Sequence, residues 1–182
     1  QKLWYIRAKE VVISSGSIER PLVFGNNDTP GVLLSSAAKE YMKVYGVLVG
    51  KKPIIFTNND SAYETAIEFK KNGVDPIVLD SRKELSSDLI NEAKSLGINI
   101  KFEYVVVNAN GYRKVKSADI AKISDDKTTL GKIENIVCDC ICVSGFWTPT
   151  IHLASQSGGK TKFNEEIDCL LYTSDAADEH RR

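Results

Sequence analysis

The chain lacks a net charge: 24 basic residues balance 24 acidic ones. No field is left to hold a nucleic acid or an anionic lipid surface, so neither is expected as a partner. Also missing is any apolar run near the roughly 18 residues a membrane-spanning helix needs. No leader is expected, since Gln1 runs directly into Leu3-Trp4-Tyr5-Ile6, which reads as the middle of a fold. The four cysteines fit neither a disulfide framework nor a zinc spacing, which favours a reducing, cytoplasmic setting. No nucleophile–base pair, paired carboxylates or metal cluster is visible, so no catalytic or metal-ligating residue is assigned.

The most informative absence is of three glycines. Residues 53–80 read PIIFTNNDSAYETAIEFKKNGVDPIVLD: a strand, a tight turn, a helix and a second strand ending in an acid. That is the outline of a dinucleotide-binding βαβ unit, whose turn is G-x-G-x-x-G. Here the glycine positions hold Thr57, Asn59 and Ala62. The second glycine lets a backbone approach a pyrophosphate, and Asn59 puts a side chain in that space. The unit is expected to keep the fold while weakening or losing ordinary cofactor binding.

Around it, residues 7–16 form a short apolar segment expected as a strand ending in the small pair Ser15-Gly16. Pro21 and Asn26-Asn27-Asp28-Thr29-Pro30-Gly31 mark a loop. The spacing predicts a helix over 35–45 with Ala38, Tyr41, Met42 and Tyr45 on one face. After the strand 54–57, Ser61 and Glu64 form a capping-box pattern for the next helix, which Gly73 ends. A strand at 77–79 and a helix over 87–96 follow, stopped by Gly97. From Ile98 the period becomes two: 101–108, a turn at Asn110-Gly111, 112–117 and 132–137 read as a β-meander. Residues 139–144 are a last buried strand, closed by Gly145-Phe146-Trp147-Thr148-Pro149. The strands at 54–57, 77–79, 98–101 and 139–144 are expected in one parallel sheet.

The far end reads CLLYTSDAADE from Cys169 to Glu179, similar to a translated transposon-end sequencing adapter. Residues 169–182 are therefore set aside as an artefact tail. The rest is expected to be a fragment open at both ends.

The segments that carry a family resemblance are Glu19-Arg20-Pro21-Leu22-Val23-Phe24, Asn27-Asp28-Thr29-Pro30-Gly31-Val32 and Phe56-Thr57-Asn58-Asn59-Asp60-Ser61-Ala62-Tyr63. Val143-Ser144-Gly145 and Thr148-Pro149-Thr150-Ile151-His152-Leu153 complete them. Together they resemble the two-dinucleotide-domain flavoproteins of the thioredoxin reductase type and, within these, the alpha subunits of heterotetrameric sarcosine oxidases. The resemblance implies an α/β, Rossmann-like FAD/NAD(P)-binding domain, a βαβαβ parallel sheet plus β-meander, inserted between the edges of a first dinucleotide-binding domain. Residues 1–50 would be the end of that first domain with a linker helix, 51–145 the inserted second domain, and 146–168 the return into the first. It further implies oxidative demethylation of sarcosine to glycine, with hydrogen peroxide and a folate-accepted one-carbon unit. NAD would sit in the first domain, and FAD and FMN in the full complex. Tetrahydrofolate would sit in a domain beyond Asp168, and the partners would be a beta subunit and smaller subunits. One departure is Phe146, where the family pattern leads us to expect a second glycine after Gly145.

The cofactor-binding candidates are Ser15, Gly16, Thr57, Asn58, Asn59, Asp60, Ser61, Asp80 and Gly145. Ser15-Gly16 either borders the first domain's cofactor or is a small strand end needed for packing. Free backbone N–H groups at 57–61 suit an anion, but Asp60 places a negative charge there, so a capped, packed turn is the preferred reading. Asp80 stands about 20 residues beyond the turn, where a ribose-binding acid belongs. Without the glycines it is read as a solvated strand-end acid. Cys138, Cys140 and Cys142 alternate, so a strand would put all three on one face as small, buried, inert thiols. His152 and Trp147 are read as packing or interface residues.

Three other readings stay open. A related opine or amino-acid dehydrogenase subunit would share the two-domain body. An NAD(P)H-dependent flavoprotein reductase would use the second domain as a working site and should carry glycines at 57 and 59. A pure interaction module would have lost all cofactor binding.

Overall fold

The run Pro53–Thr57 is buried at every position, and so is Cys140–Ser144, as strands must be when both faces of a sheet are covered. The computed structural model describes residues 2–124, 129–165 and 169–173. In order the elements are β1 (Ser17–Glu19), β2 (Val32–Leu34), α1 (Ser35–Lys43), β3 (Pro53–Thr57), α2 (Ser61–Lys71), β4 (Ile77–Asp80), α3 (Asp88–Ser95) and β5 (Asn99–Phe102). There follow β6 (Tyr104–Asn110), β7 (Ser117–Lys122), β8 (Glu134–Val137), β9 (Cys140–Ser144), β10 (Trp147–Pro149), α4 (His152–Gln156), β11 (Lys160–Asn164) and β12 (Cys169–Thr173). Among the described residues no helix is long and apolar enough to cross a membrane.

The chain divides into two units, Gln1–Ile18 with Trp147–Arg182, and Glu19–Phe146. In the larger unit a five-stranded parallel sheet has the order β2-β9-β3-β4-β5. The four strands expected in one parallel sheet are there, and β2 adds an outer edge that the loop signals at 26–31 concealed. An antiparallel β6-β7-β8 meander forms a separate layer.

Alternation of side chains across the strands builds two cores. On one face Ile55, Val78, Cys140 and Cys142 meet Ala38 and Met42 of α1, Ala62, Ala66 and Phe69 of α2, and Ile90 and Ala93 of α3. On the other, Ile54, Phe56, Leu79, Ile141 and Val143 meet Val106, Ala118 and Ile120 of the meander, with Phe24 edge-on to Phe56 at 5.9 Å. The result is helices, parallel sheet and meander in three layers, the α/β architecture of a Rossmann-like domain.

Several local expectations are corrected. Residues 7–13 form no strand, and Val11 and Val12 stand 79% and 89% exposed; among the described residues no segment pairs with them. In α1 only Ala38 and Met42 turn inward among the four residues expected on its face. Tyr41 and Tyr45 are exposed and pair with each other at 6.0 Å. The meander's second strand starts at Ser117 rather than 112, because Val115 is drawn into the core and its N–H donates to Pro30 O at 2.9 Å. Cys138 does not share a face with Cys140 and Cys142. A bend at Asp139 interrupts the alternation, so Cys138 packs on the meander side and the other two on the helix side. Asp139 has its own task there, accepting from Lys51 N and Lys52 N at 2.8–3.1 Å.

The smaller unit holds α4 and an antiparallel β11–β12 hairpin, and β10 pairs with β1. His152 opens α4. Of the stretch set aside from Cys169, the backbone at Cys169–Thr173 is the strand β12, and 174–182 lie outside the described residues.

Phe146, at the end of the larger unit, has φ 91°, a backbone region that strains any residue with a Cβ. This is the position where the family pattern called for glycine. Its carbonyl accepts from Arg20 N at 2.8 Å, and Gly145 N donates to Arg20 O at 2.6 Å, so the two chain segments are tied together here. Phe146→Gly and Phe146→Ala both remove the ring, but only glycine relieves φ. The glycine variant should be the more stable of the two by about 1 kcal/mol in denaturant titration.

Candidate functional site

A cofactor crevice in this fold opens at the carboxyl ends of the parallel strands, where β3 turns into α2. Thr57 starts the turn, and its Oγ1 donates to Asn59 O and accepts from Asn59 N, both at 3.0 Å. Asn59 is buried, and every atom of its carboxamide is engaged. Nδ2 donates to Ser144 Oγ at 3.0 Å and Ser144 O at 3.2 Å on β9, and to Asn58 Oδ1 at 3.3 Å. Oδ1 accepts from Ser61 N at 3.1 Å and Ser61 Oγ at 2.6 Å. Asn58 N donates to Ser144 O at 3.4 Å. The space a glycine would leave open is filled by a side chain that joins two strands and the helix start.

The cap of α2 is therefore not the Ser61–Glu64 box. Asn59 satisfies the first free N–H, and Glu64 instead meets Lys39 of α1 at 2.6 Å. By contrast α3 is capped as its sequence indicates, Ser87 Oγ accepting from Ile90 N at 3.4 Å.

Asp80 ends β4 fully buried, at 0% exposure, which corrects its reading as a solvated acid. Arg82 reaches back to it through Nε (3.0 Å) and Nη2 (2.8 Å), and Tyr63 Oη donates to Oδ2 at 2.8 Å. Arg82 N donates to Asp80 Oδ1 at 3.0 Å, and Nη2 also reaches Asp60 Oδ1 at 2.7 Å. Both acids of the candidate site are thus held by one guanidinium two residues beyond β4. Burial works against the Arg82 charge, but the bonds to Asp80 and Asp60 outweigh it and hold the group above the usual arginine range. Burial first, and then the Asp80 charge, push the Tyr63 phenol well above its ordinary range.

The structure thus brings Thr57, Asn58, Asn59, Asp60, Ser61 and Asp80 together at one sheet end, with Ser144 beside them. Gly145 belongs to the same unit. A Cβ there would lie 3.0 Å from both Arg20 O and Pro21 O, so packing by itself favours a glycine. Ser15 and Gly16 belong to the smaller unit: Ser15 Oγ donates to Thr150 O at 2.6 Å, and Thr150 N donates to Gly16 O at 2.9 Å. Gly16 has φ +66° and open space around it.

The thiols of Cys138, Cys140 and Cys142 are closed off. Burial pushes Cys138 up to about 12, with Cys140 and Asp139 adding to it. The hydrogen bond with Cys140, with sulfurs 3.6 Å apart, and burial hold Cys142 well above the thiol range.

No family model matches the chain. It is 33% identical over 182 residues to the sarcosine oxidase subunit alpha of Corynebacterium sp. (strain P-1), a match covering 99% of this chain and 19% of that protein. It is 35% identical over 172 residues to the subunit of the same name from Rhizobium meliloti (strain 1021), covering 94% of this chain and 16% of the relative. The chain thus spans under a fifth of the relatives' length. Among solved structures it resembles T. acidophilum thioredoxin reductase, with TM-score 0.63 at 17% identity over 82% of this chain and 47% of that one. It also resembles L-proline dehydrogenase from P. horikoshii, with TM-score 0.57 at 24% identity over 92% and 27%. These last two likenesses establish the fold.

Removing Arg82 should leave Asp80 buried with an unmet charge. Arg82→Ala is expected to cost about 3 kcal/mol, the lower end for breaking a buried pair because the guanidinium reaches water. Adding Asp80→Asn should recover part of that loss in a double-mutant cycle. The phenol gives a pH signature. Its folded value is raised above the 10.0 of the unfolded chain, so its contribution is complete below pH 10 and lost as pH rises further. Tyr63→Phe should flatten the alkaline fall in melting temperature.

Proposed function

We propose, from its relation to the sarcosine oxidase alpha subunits, that this chain is a scaffold and cofactor-bearing part of a flavoprotein oxidoreductase subunit. The single observation that carries the reading is 32–35% identity along 94–99% of this chain to three proteins of that name. On this reading the substrate is sarcosine, oxidised to glycine with release of hydrogen peroxide and a one-carbon unit taken by tetrahydrofolate. NAD is held by the first dinucleotide-binding domain near Ser15 and Gly16. FAD and FMN belong to the complex, and the chemistry to a beta subunit, with smaller subunits completing a cytoplasmic assembly.

The inserted domain serves this assembly as a folded body. Its crevice fits a dinucleotide poorly: Asn59 occupies the pyrophosphate approach, and Arg82 already pairs with both Asp60 and Asp80. Asp80 therefore offers no free carboxylate for a ribose, and two acids sharing one guanidinium leave a negative charge that disfavours a phosphate. This geometry speaks against the flavoprotein reductase reading, in which the second domain must bind NAD(P)H. An opine-type dehydrogenase subunit would share the body, and a folate-binding domain downstream of Asp168 separates the two. We further propose that residues 169–182 are foreign to the protein.

Four measurements test these statements. Calorimetric titration of NAD into this chain should show no binding. Micromolar affinity abolished by Asn59→Ala would make the turn a working site and restore the reductase reading. In the full-length subunit, NAD released on denaturation should be unchanged by Asn59→Ala, while sarcosine-dependent peroxide formation by the complex identifies the substrate. Deleting 169–182 should leave stability within about 0.5 kcal/mol; a clear loss would assign the β12 pairing to the protein.

A further inference from the structure

The strand ends opposite the crevice carry charge that the fold does not consume. Lys51 and Lys52 lead into β3, Lys116 leads into β7, and Arg113 and Lys114 sit in the loop between β6 and β7. All five are exposed, and none has a carboxylate partner among the described residues. Backbone bonds make them one patch. Lys116 O accepts from Cys138 N at 3.2 Å and Lys52 O from Asp139 N at 3.3 Å, so the two lysines flank the entry to β9. Within 50–53, 111–116 and 137–140 the only acid is Asp139, whose carboxylate is spent on the Lys51 and Lys52 backbone. On the helix layer four of the five lysines, Lys39, Lys43, Lys70 and Lys94, each meet an acid, and Lys71 has none among the described residues.

The loop bearing the charge is also fixed in place. Val115 is buried and bonded to Pro30, Lys116 N donates to Asn110 O at 2.8 Å, and Gly111 has no room for a Cβ beside the Lys114 carbonyl. Yet its tip presents Tyr112 at 91% exposure next to Arg113, with Val137 exposed at the same end. Tyrosine and arginine dominate binding energy at interfaces, and a loop already ordered loses little entropy on docking.

We propose that this end of the domain, Lys51, Lys52, Tyr112, Arg113, Lys114 and Lys116, docks an acidic protein surface on another subunit of the assembly. The proposal rests on reading the chain as part of a multi-subunit oxidase. A protein partner is favoured over a nucleic acid because the chain as a whole carries no net charge to steer a polyanion, and because the patch is local and includes an aromatic.

The test is subunit association of the full-length chain with its co-expressed partner subunits, followed by sedimentation velocity across a salt series. Lys51→Glu with Lys52→Glu and Lys116→Glu should weaken association at least about tenfold and abolish its salt dependence, with melting temperature unchanged. The reversal Lys71→Glu with Lys83→Glu, away from the patch, should leave association intact. Tyr112→Ala, which alters no charge, should weaken association on its own and serves if the triple variant fails to fold. Equal assembly of wild type, triple variant and Tyr112→Ala would overturn the docking surface alone. A wild-type chain that assembles with no other subunit would overturn the oxidase reading and the docking surface together. Charge-dependent binding of a short DNA duplex without any effect on assembly would reassign the patch to a polyanion.

Discussion

A carboxylate with no access to water must find its counter-charge and its hydrogen bonds within the protein, and Asp80 imposes that demand on the end of β4. Arg82 and Tyr63 meet it from two directions, one from the following loop and one from α2. Because Arg82 also reaches Asp60 at the start of α2, the same guanidinium joins the β3–α2 turn to the β4 end. Ordinarily a bound dinucleotide bridges these two places. Here the protein bridges them itself, which accounts for a βαβ unit that keeps its shape without the glycines. Asn59 does the corresponding work between β3 and β9.

The strands at 54–57, 77–79, 98–101 and 139–144 were legible because doubly covered parallel strands are short unbroken apolar runs flanked by helix signals. β2 was not, since three apolar residues after Asn27, Asp28, Pro30 and Gly31 carry no period of their own. The exposed side of Tyr41 and Tyr45 was hidden for a different reason. Spacing fixes which residues share a face of α1, but the angular limits of that face depend on where α2 sits. Alternation misplaced Cys138 because a single bend at Asp139 resets it, and that bend exists to serve the Lys51 and Lys52 backbone.

At the candidate site the sequence located the right residues and missed what they do. Asp80 and the 57–61 turn were found by position, yet burial reverses the meaning of the acid. The one available signal was the arginine two residues beyond it. An acid at a strand end followed so closely by a guanidinium is placed to be neutralised internally, and Tyr63 at a buried position of α2 supplies the remaining donor. The capping box failed on competition, since Glu64 has a lysine partner on α1 and Asn59 already holds the N–H that the box would serve.

The sheet order β2-β9-β3 has a consequence for how the molecule is made. β9 lies between strands that leave the ribosome long before it, so β2 and β3 wait with open apolar edges until the segment through Ser144 is available. Their pairing is long-range, slow to form and exposed to mispairing in the interval. An interior strand, second from one edge, is thus the last of the sheet to be synthesised. A chain truncated anywhere before it keeps the β3-β4-β5 pairings but leaves β2 detached and the inner edge of β3 unpaired.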